Sequence, residues 1–254
     1  MIAGKVLSEV GDPTCFAFVT NVNTKPKRRL FEVLKSQGLQ MNQRIEFLTD
    51  GGDTVRELPL FLVPESEHWL DWFHITMRLT VMGQMIKGLA AESNPCTKPG
   101  DDEDGPPDST SMDKELESLK WHLWHGNVYR ALQIIADLEG DLEARDEGSE
   151  RAKKLLKAVR EFRHYIEVNR SSIPNYGDRY RHGEAISTAF AESTVNQVIS
   201  KRMVEKQQMR WTGRGAHLLL QVRTQILNGD LRTTFQRWYP GMNVDAAQTE
   251  EAAA

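Results

Sequence analysis

Cysteine is nearly absent. The 254-residue chain holds two, Cys15 and Cys96, far apart and in unlike surroundings. That excludes a disulfide framework and suits a reducing cytosol. Long apolar runs are missing too: none approaches the roughly 20 residues that a membrane-crossing helix needs. The N-terminal MIAGKVLSEV lacks the basic end, apolar stretch and cleavage site of a signal peptide. A cytoplasmic protein without a membrane partner is therefore expected. No charge of one sign dominates either, since the formal net charge is −4. Nothing global points to nucleic acid. What the chain does have is 39% hydrophobic and 27% charged residues, enough for the core of one large domain or two small ones.

The near-neutral average hides an asymmetry. Residues 97–118 carry eight acids against Lys98 and Lys114, whereas residues 201–237 carry eight bases against Glu205 and Asp230. A basic C-terminal surface can meet phosphates. Solvated helix faces with internal ion pairs account for the same charges equally well.

Local patterns predict α/β structure first and helices afterwards. Ile2–Val6 and Phe16–Val22 read as a hairpin around the turn-forming Gly11-Asp12-Pro13. Pro26 suits a first helical turn, with Leu30, Phe31 and Leu34 on one face and Gly38 as the stop. Strands are predicted at Ile45–Thr49 and His68–Phe73. A short helix is predicted at Asp53–Leu58, and a longer one over 75–89 with a stripe of Ile75, Leu79, Met82 and Ile86. TKPGDDEDGPPDSTSM, residues 97–112, is too polar to bury a core and reads as a mobile loop. Helices follow over about 113–123, 127–138, 149–169, 188–208, 214–228 and 230–238. Asn175-Tyr176-Gly177-Asp178 interrupts them, and DAAQTEEAAA reads as a frayed tail.

Three segments carry possible chemistry. In IEFLTDGGDTVRELP a strand stops at Asp50, followed by two glycines. Ligands gather at the carboxyl ends of strands in open α/β sheets, although an Asp-Gly pair is also an ordinary turn. In HWLDWFHITMRL, Asp71 and His74 stand three apart at a strand-to-helix junction, where Asp71 could equally cap the helix. In HGEAISTAFAESTVNQVISKRM, Glu192 lies near a helix start, one turn from Asn196, above a stripe of Val195, Ile199 and Met203. An acid there is also ordinary dipole chemistry. Two histidine sets, His122 with His125 and His68 with Asp71 and His74, have zinc-like spacing but no clear third ligand. Trp121 and Trp124 are expected to pack the helical region beside them.

FLTDGGDTVREL, LDWFHITMRLTVM and ISTAFAESTVNQVISKRMVEKQQMRWTGRGAHLLLQVRTQILNGDL, in that order, resemble bacterial insertion-sequence transposases of the ISKra type. The resemblance spans nearly the whole chain apart from the acidic loop and the tail. It implies an α/β, RNase H-like mixed sheet interrupted by a helical insertion, with a DDE triad. By resemblance Asp50 is the second acid and Glu192 the third, while Asp71, His74 and Asn196 support the site. Lys201, Arg202, Arg210, Arg214 and Arg223 would face DNA or brace the acids. The implied layout is 1–91 for the N-terminal part of the catalytic core, 92–112 for an acidic disordered loop and 113–180 for the insertion. Residues 181–240 would be C-terminal helices completing the core, and 241–254 a disordered tail.

DNA cutting and joining is phosphoryl transfer, in which positioning and charge neutralisation dominate. Two Mg²⁺ or Mn²⁺ ions held by carboxylates are the implied cofactors. The implied partners are the element's DNA ends and its target, bound by a homo-oligomer. The family's first Asp lies on a strand preceding Ile2–Val6, where this sequence has only Met1. Asp12 falls in the hairpin turn and Asp53 starts a helix, so neither replaces it. A truncated frame, with its first strand missing and inactive alone, is the expectation. The alternative is a non-catalytic DNA-binding or subunit-binding fragment that interferes with a full-length transposase.

Overall fold

The computed structural model describes residues 1–8, 12–22, 25–52, 58–59, 61–93, 107–144, 149–189, 191, 193, 196–200, 203 and 211–241. It is a mixed α/β protein, mostly helical, with two two-stranded sheets among the described residues. The chain forms two compact units, Met1–Gln43 with Ala189–Ala254, and Arg44–Thr188. No helix among the described residues is long and apolar enough to cross a membrane.

In the first unit, β1 (Ile2–Val6) pairs antiparallel with β2 (Thr14–Phe18), Ile2 opposite Phe18 and Val6 opposite Thr14. The hairpin is as the sequence predicts, but its second strand starts earlier and stops at Phe18. Helix α1 (Pro26–Ser36) buries Leu30 and Leu34. Phe31, expected on the same face, is exposed instead, because it lies about 100° around the helix from Leu30. Beyond Phe18 lies a chain reversal, Thr20–Val22, closed by Val22 N–H donating to the Val19 carbonyl at 3.2 Å.

The outward edge of β2 is not left bare. The Asn228 amide accepts from Cys15 N–H at 2.8 Å and donates to the Cys15 carbonyl at 3.0 Å. Gln221 donates to the Ala17 carbonyl at 2.9 Å, and His217 Nδ1 accepts from Val19 N–H at 3.3 Å. Side chains thus take the place of a neighbouring strand and satisfy groups that would otherwise template pairing. Gln221 and His217 lie in the helix Gly213–Leu227, whose first turn is capped by Thr212 accepting from Gly215 N–H. Asn228 ends that helix, and a further short helix covers Leu231–Trp238. Apolar contact joins Ala17 and Leu220 to Val198, which lies in a π-helical turn, Asn196–Ser200. Val198 is the fully buried residue there, with Ile199 and Met203 packed beside it. The expected stripe member Val195 lies outside the described residues.

In the second unit, β3 (Glu46–Thr49) and β4 (Glu67–Leu70) pair in parallel, Thr49 beside Leu70. The predicted strand His68–Phe73 is shorter than expected at its end, since α2 (Trp72–Ser93) begins at once. Asp71 stops the strand by capping that helix. The predicted stripe Ile75, Leu79, Met82 and Ile86 is buried. Each such side chain contributes roughly 1.5–3 kcal/mol on burial. Helices α3 (Pro107–Trp124), α4 (Val128–Ala144) and α5 (Glu150–Val168) follow. Packing runs α2 on α3, α3 on α4, α4 on α5, and α5 back on α2, so the four helices close on one apolar core. Helix α3 starts within the stretch read as a mobile loop: residues 107–112 are helical, and Met112 is buried. The rest of that loop, the predicted start of the short helix at Asp53, and the tail lie outside the described residues.

Asn175-Tyr176-Gly177-Asp178 does not simply interrupt the helices. Asn175 caps a short helix, α6 (Tyr176–Arg181), by accepting from Asp178 N–H at 3.0 Å. A Cβ at position 177 would stand 2.5 Å from Trp124 Nε1, so glycine permits this close packing. Trp124 contacts Trp72 and Tyr176, whereas Trp121 is exposed and stacks on His125, contrary to its expected packing role.

Candidate active site at the ends of the parallel strands

Asp50 is the first residue past β3, and its carboxylate is exposed. The turn behind it is built from short-range bonds. Asp50 Oδ1 accepts from Gly52 N–H at 3.0 Å, and Thr49 Oγ1 accepts from Gly51 N–H at 3.2 Å. Gly51 has φ +77°, a conformation that side chains disfavour. A Cβ there would also stand 2.5 Å from Leu70 Cδ1 and 2.9 Å from Asn169 Oδ1. The glycine after the acid therefore allows β4 and the end of α5 to close beneath the turn. From above, the Tyr165 hydroxyl on α5 donates to the Asp50 carbonyl at 3.0 Å.

Asp71 occupies the matching position past β4, its N–H donating to the Thr49 carbonyl at 2.8 Å. The two acids are thus neighbours at the carboxyl ends of parallel strands, but their surroundings differ. Asp71 is fully buried. Its Oδ1 accepts from Phe73 N–H at 2.8 Å; its Oδ2 accepts from His74 Nδ1 at 2.9 Å and from the Thr188 hydroxyl. Burial alone would raise its pKa, but the His74, Thr188 and Phe73 hydrogen bonds outweigh that and hold it below the usual carboxylate value. Asp71 is consequently saturated. It caps α2 and orients His74, and it offers no oxygen to a metal. Asp50 does: it is a hard oxygen donor on the surface, with one oxygen steadied by a backbone amide.

Deeper layers hold this edge in place. Thr49 Oγ1 and His68 Nε2 lie 2.7 Å apart, and His68 Nδ1 is 3.1 Å from Ser172 Oγ. His68 is therefore engaged by hydroxyls, not grouped with Asp71 and His74 as a zinc set would need. The buried Tyr176 hydroxyl donates to the Leu70 carbonyl at 2.8 Å. Burial pushes both the Tyr176 and Tyr165 phenols upward, so both remain protonated donors at neutral pH. Arg179 lies over the Trp69 ring and pairs with Glu46 at 2.6 Å and Glu184 at 3.0 Å.

The remaining expected residues are distributed as follows. Glu192, Lys201, Arg202 and Arg210 lie outside the described residues. Asn196 is exposed in the π-helical turn. Arg214 is exposed in the first turn of the helix Gly213–Leu227. Arg223 donates through Nε to the Val198 carbonyl at 2.9 Å and through Nη2 to the Gln197 carbonyl, so it braces that turn. Among the described residues, no three His, Cys, Asp or Glu side chains gather as a metal site would require.

Comparison with known proteins adds no relative. No family model, curated protein or solved structure matches the chain.

Several residues of this site escaped the sequence reading. Tyr165, Asn169, Ser172 and Thr188 reach Asp50, Gly51, His68 and Asp71 across about a hundred positions. Only Thr188, among small and hydroxyl residues before Glu192, lay inside a segment already singled out.

Proposed function

We propose that the chain carries part of the catalytic machinery of a DDE-type transposase with an RNase H-like fold, which cuts and joins DNA strands with divalent metal. One observation supports this most: an exposed Asp50 carboxylate on a glycine-tight turn at the carboxyl end of a parallel strand, beside a second acid already saturated by hydrogen bonds. That division of labour suits one metal ligand and one positioning residue. Asp50 would hold Mg²⁺ or Mn²⁺, with Glu192 as a further ligand by the resemblance. When bound, the metal supplies charge neutralisation at a transferring phosphoryl group. The protein's own part is positioning. Tyr165 and the Gly52 amide fix the Asp50 turn, and Asp71 fixes the His74 ring at its rim. The partners on this reading are the ends of an insertion sequence and a target DNA, engaged by a homo-oligomer.

Iron-directed backbone cleavage tests this without requiring turnover. Fe²⁺ substituted for Mg²⁺, with ascorbate and peroxide, should cut the chain near residue 50 and near residue 192. Asp50→Asn should abolish both cuts. Absence of cutting at residue 50, or cutting that persists in Asp50→Asn, overturns the metal site and favours a non-catalytic DNA- or subunit-binding fragment.

A further inference from the structure

Beside the Asp50 turn stands a cation that the acids do not consume. Arg78 lies one turn beyond His74 on α2, flanking the buried stripe, and is exposed. Its guanidinium carbon sits 4.3 Å from the centroid of the Tyr165 ring. The same tyrosine's hydroxyl bonds the Asp50 carbonyl. Ring, guanidinium and acid turn are therefore one connected unit. The charges also sense one another, since Arg78 opposes and Asp50 and Asp71 reinforce the upward push that burial gives the Tyr165 phenol.

Other arginines of this unit are engaged differently. Arg160 and Arg163 pair with Glu139, Glu143 and Glu167, and Arg179 pairs with Glu46 and Glu184. Arg78 has an aromatic face as its contact and no carboxylate partner among the described residues. Its contact is with the ring and not with a carboxylate, so the guanidinium N–H donors remain available to a ligand. Those donors match the oxygens of a phosphate in a forked geometry. A guanidinium already held over a ring is also partly pre-oriented, so less side-chain freedom is lost when a ligand binds. An exposed carboxylate alone repels a phosphodiester, and a fixed cation one side chain away offsets that repulsion.

We propose that Arg78, held on the Tyr165 ring, is a phosphodiester anchor that seats a nucleic-acid backbone against the Asp50 turn. This rests on the nucleic-acid reading above and adds to it a substrate-positioning residue.

The test is binding of a fluorescently labelled random-sequence DNA duplex to the full chain in EDTA, by anisotropy at several NaCl concentrations. Loss of one phosphate contact lowers the slope of log affinity against log salt by about 0.9. Arg78→Ala should show that decrease, with weaker binding at low salt. Arg78→Lys, which keeps the charge, should retain the slope. Arg181→Ala is the control: that exposed arginine pairs with Asp178 and should not alter the slope. Arg78 is on the surface, so the variants should melt with the wild type. An unchanged slope in Arg78→Ala, or an equal decrease in Arg181→Ala, overturns the anchor while the iron-cleavage result decides the metal site separately. Absence of DNA binding by the wild type at low salt overturns both the anchor and the nucleic-acid reading.

Discussion

Replacing Gly51 by alanine separates two effects that the turn after Asp50 combines. Its φ of +77° penalises any side chain, and its Cβ direction is occupied by Leu70 Cδ1 at 2.5 Å and Asn169 Oδ1 at 2.9 Å. Leu70 and Asn169 are both buried, so neither can swing aside into solvent. The left-handed backbone costs about 1–2 kcal/mol and overpacking about 1–3, while the stiffer unfolded chain returns about 0.4–1. Gly51→Ala should therefore lose roughly 2–4 kcal/mol, or about 5–15 °C in Tm for a protein of this size. Gly183 supplies the control in the same unit. Its φ is +73°, yet nothing lies within 4 Å of its would-be Cβ. Gly183→Ala carries only the backbone effect, a net loss of about 1 kcal/mol or less. Urea unfolding followed by tryptophan fluorescence measures both, because Trp69, Trp72 and Trp124 lie in this unit. Equal losses in the two variants would refute the steric part, and a Gly51→Ala protein as stable as wild type would refute the turn geometry altogether.

Two further predictions concern pH. The folded-state pKa of Asp71 lies below its ordinary value, so its contribution is complete above the usual carboxylate range of about 4 and is lost as pH falls through the lowered value. Asp71→Asn should cost about 2–4 kcal/mol at neutral pH, through the broken buried bonds to His74 and Thr188, and the gap should narrow in acid. A gap that stays constant from pH 7 to pH 3 in urea titrations would contradict this. His217 is held below the ordinary imidazole value by burial first and by Arg29 second, and its Nδ1 accepts from Val19. The unfolded state then takes up a proton at higher pH than the folded one, so stability should fall as pH drops through about 6.5. His217→Asn should flatten that slope in pH-resolved melting curves, and an unaltered slope would rule His217 out as its source.

Short-range chemistry made much of the fold legible. The spacing of Ile75, Leu79, Met82 and Ile86 marks the core face of α2 because a helix repeats its faces every few residues. Asp71 as a helix cap and the hairpin from Ile2 follow from equally local signals. The errors have local causes as well. Gly177 lowers helix propensity, which hid the cap at Asn175, whereas its close contact with Trp124 is a tertiary demand. Phe31 and Trp121 are apolar by type but face outward, and composition alone cannot say which large side chains remain exposed. At the candidate site, Asp50 and the glycine after it were visible as a pattern. Tyr165 and Asn169 were not: their contacts depend on α5 returning to the ends of β3 and β4, which no window of sequence encodes. The saturation of Asp71 likewise needed Thr188 to be brought back from far along the chain.

The side chains of His217, Gln221 and Asn228 along β2 have a consequence for self-association. A ladder of strands grows without limit only if every added copy exposes a fresh edge. Here one border of the hairpin is already closed by groups from the protein's own helix. A strand arriving there would have to displace three residues at once, including an amide that engages both donor and acceptor of Cys15. A strand joining this hairpin from another molecule must therefore do so beside β1, and a single blocked border is enough to stop edge-to-edge pairing of identical hairpins from propagating into a fibre.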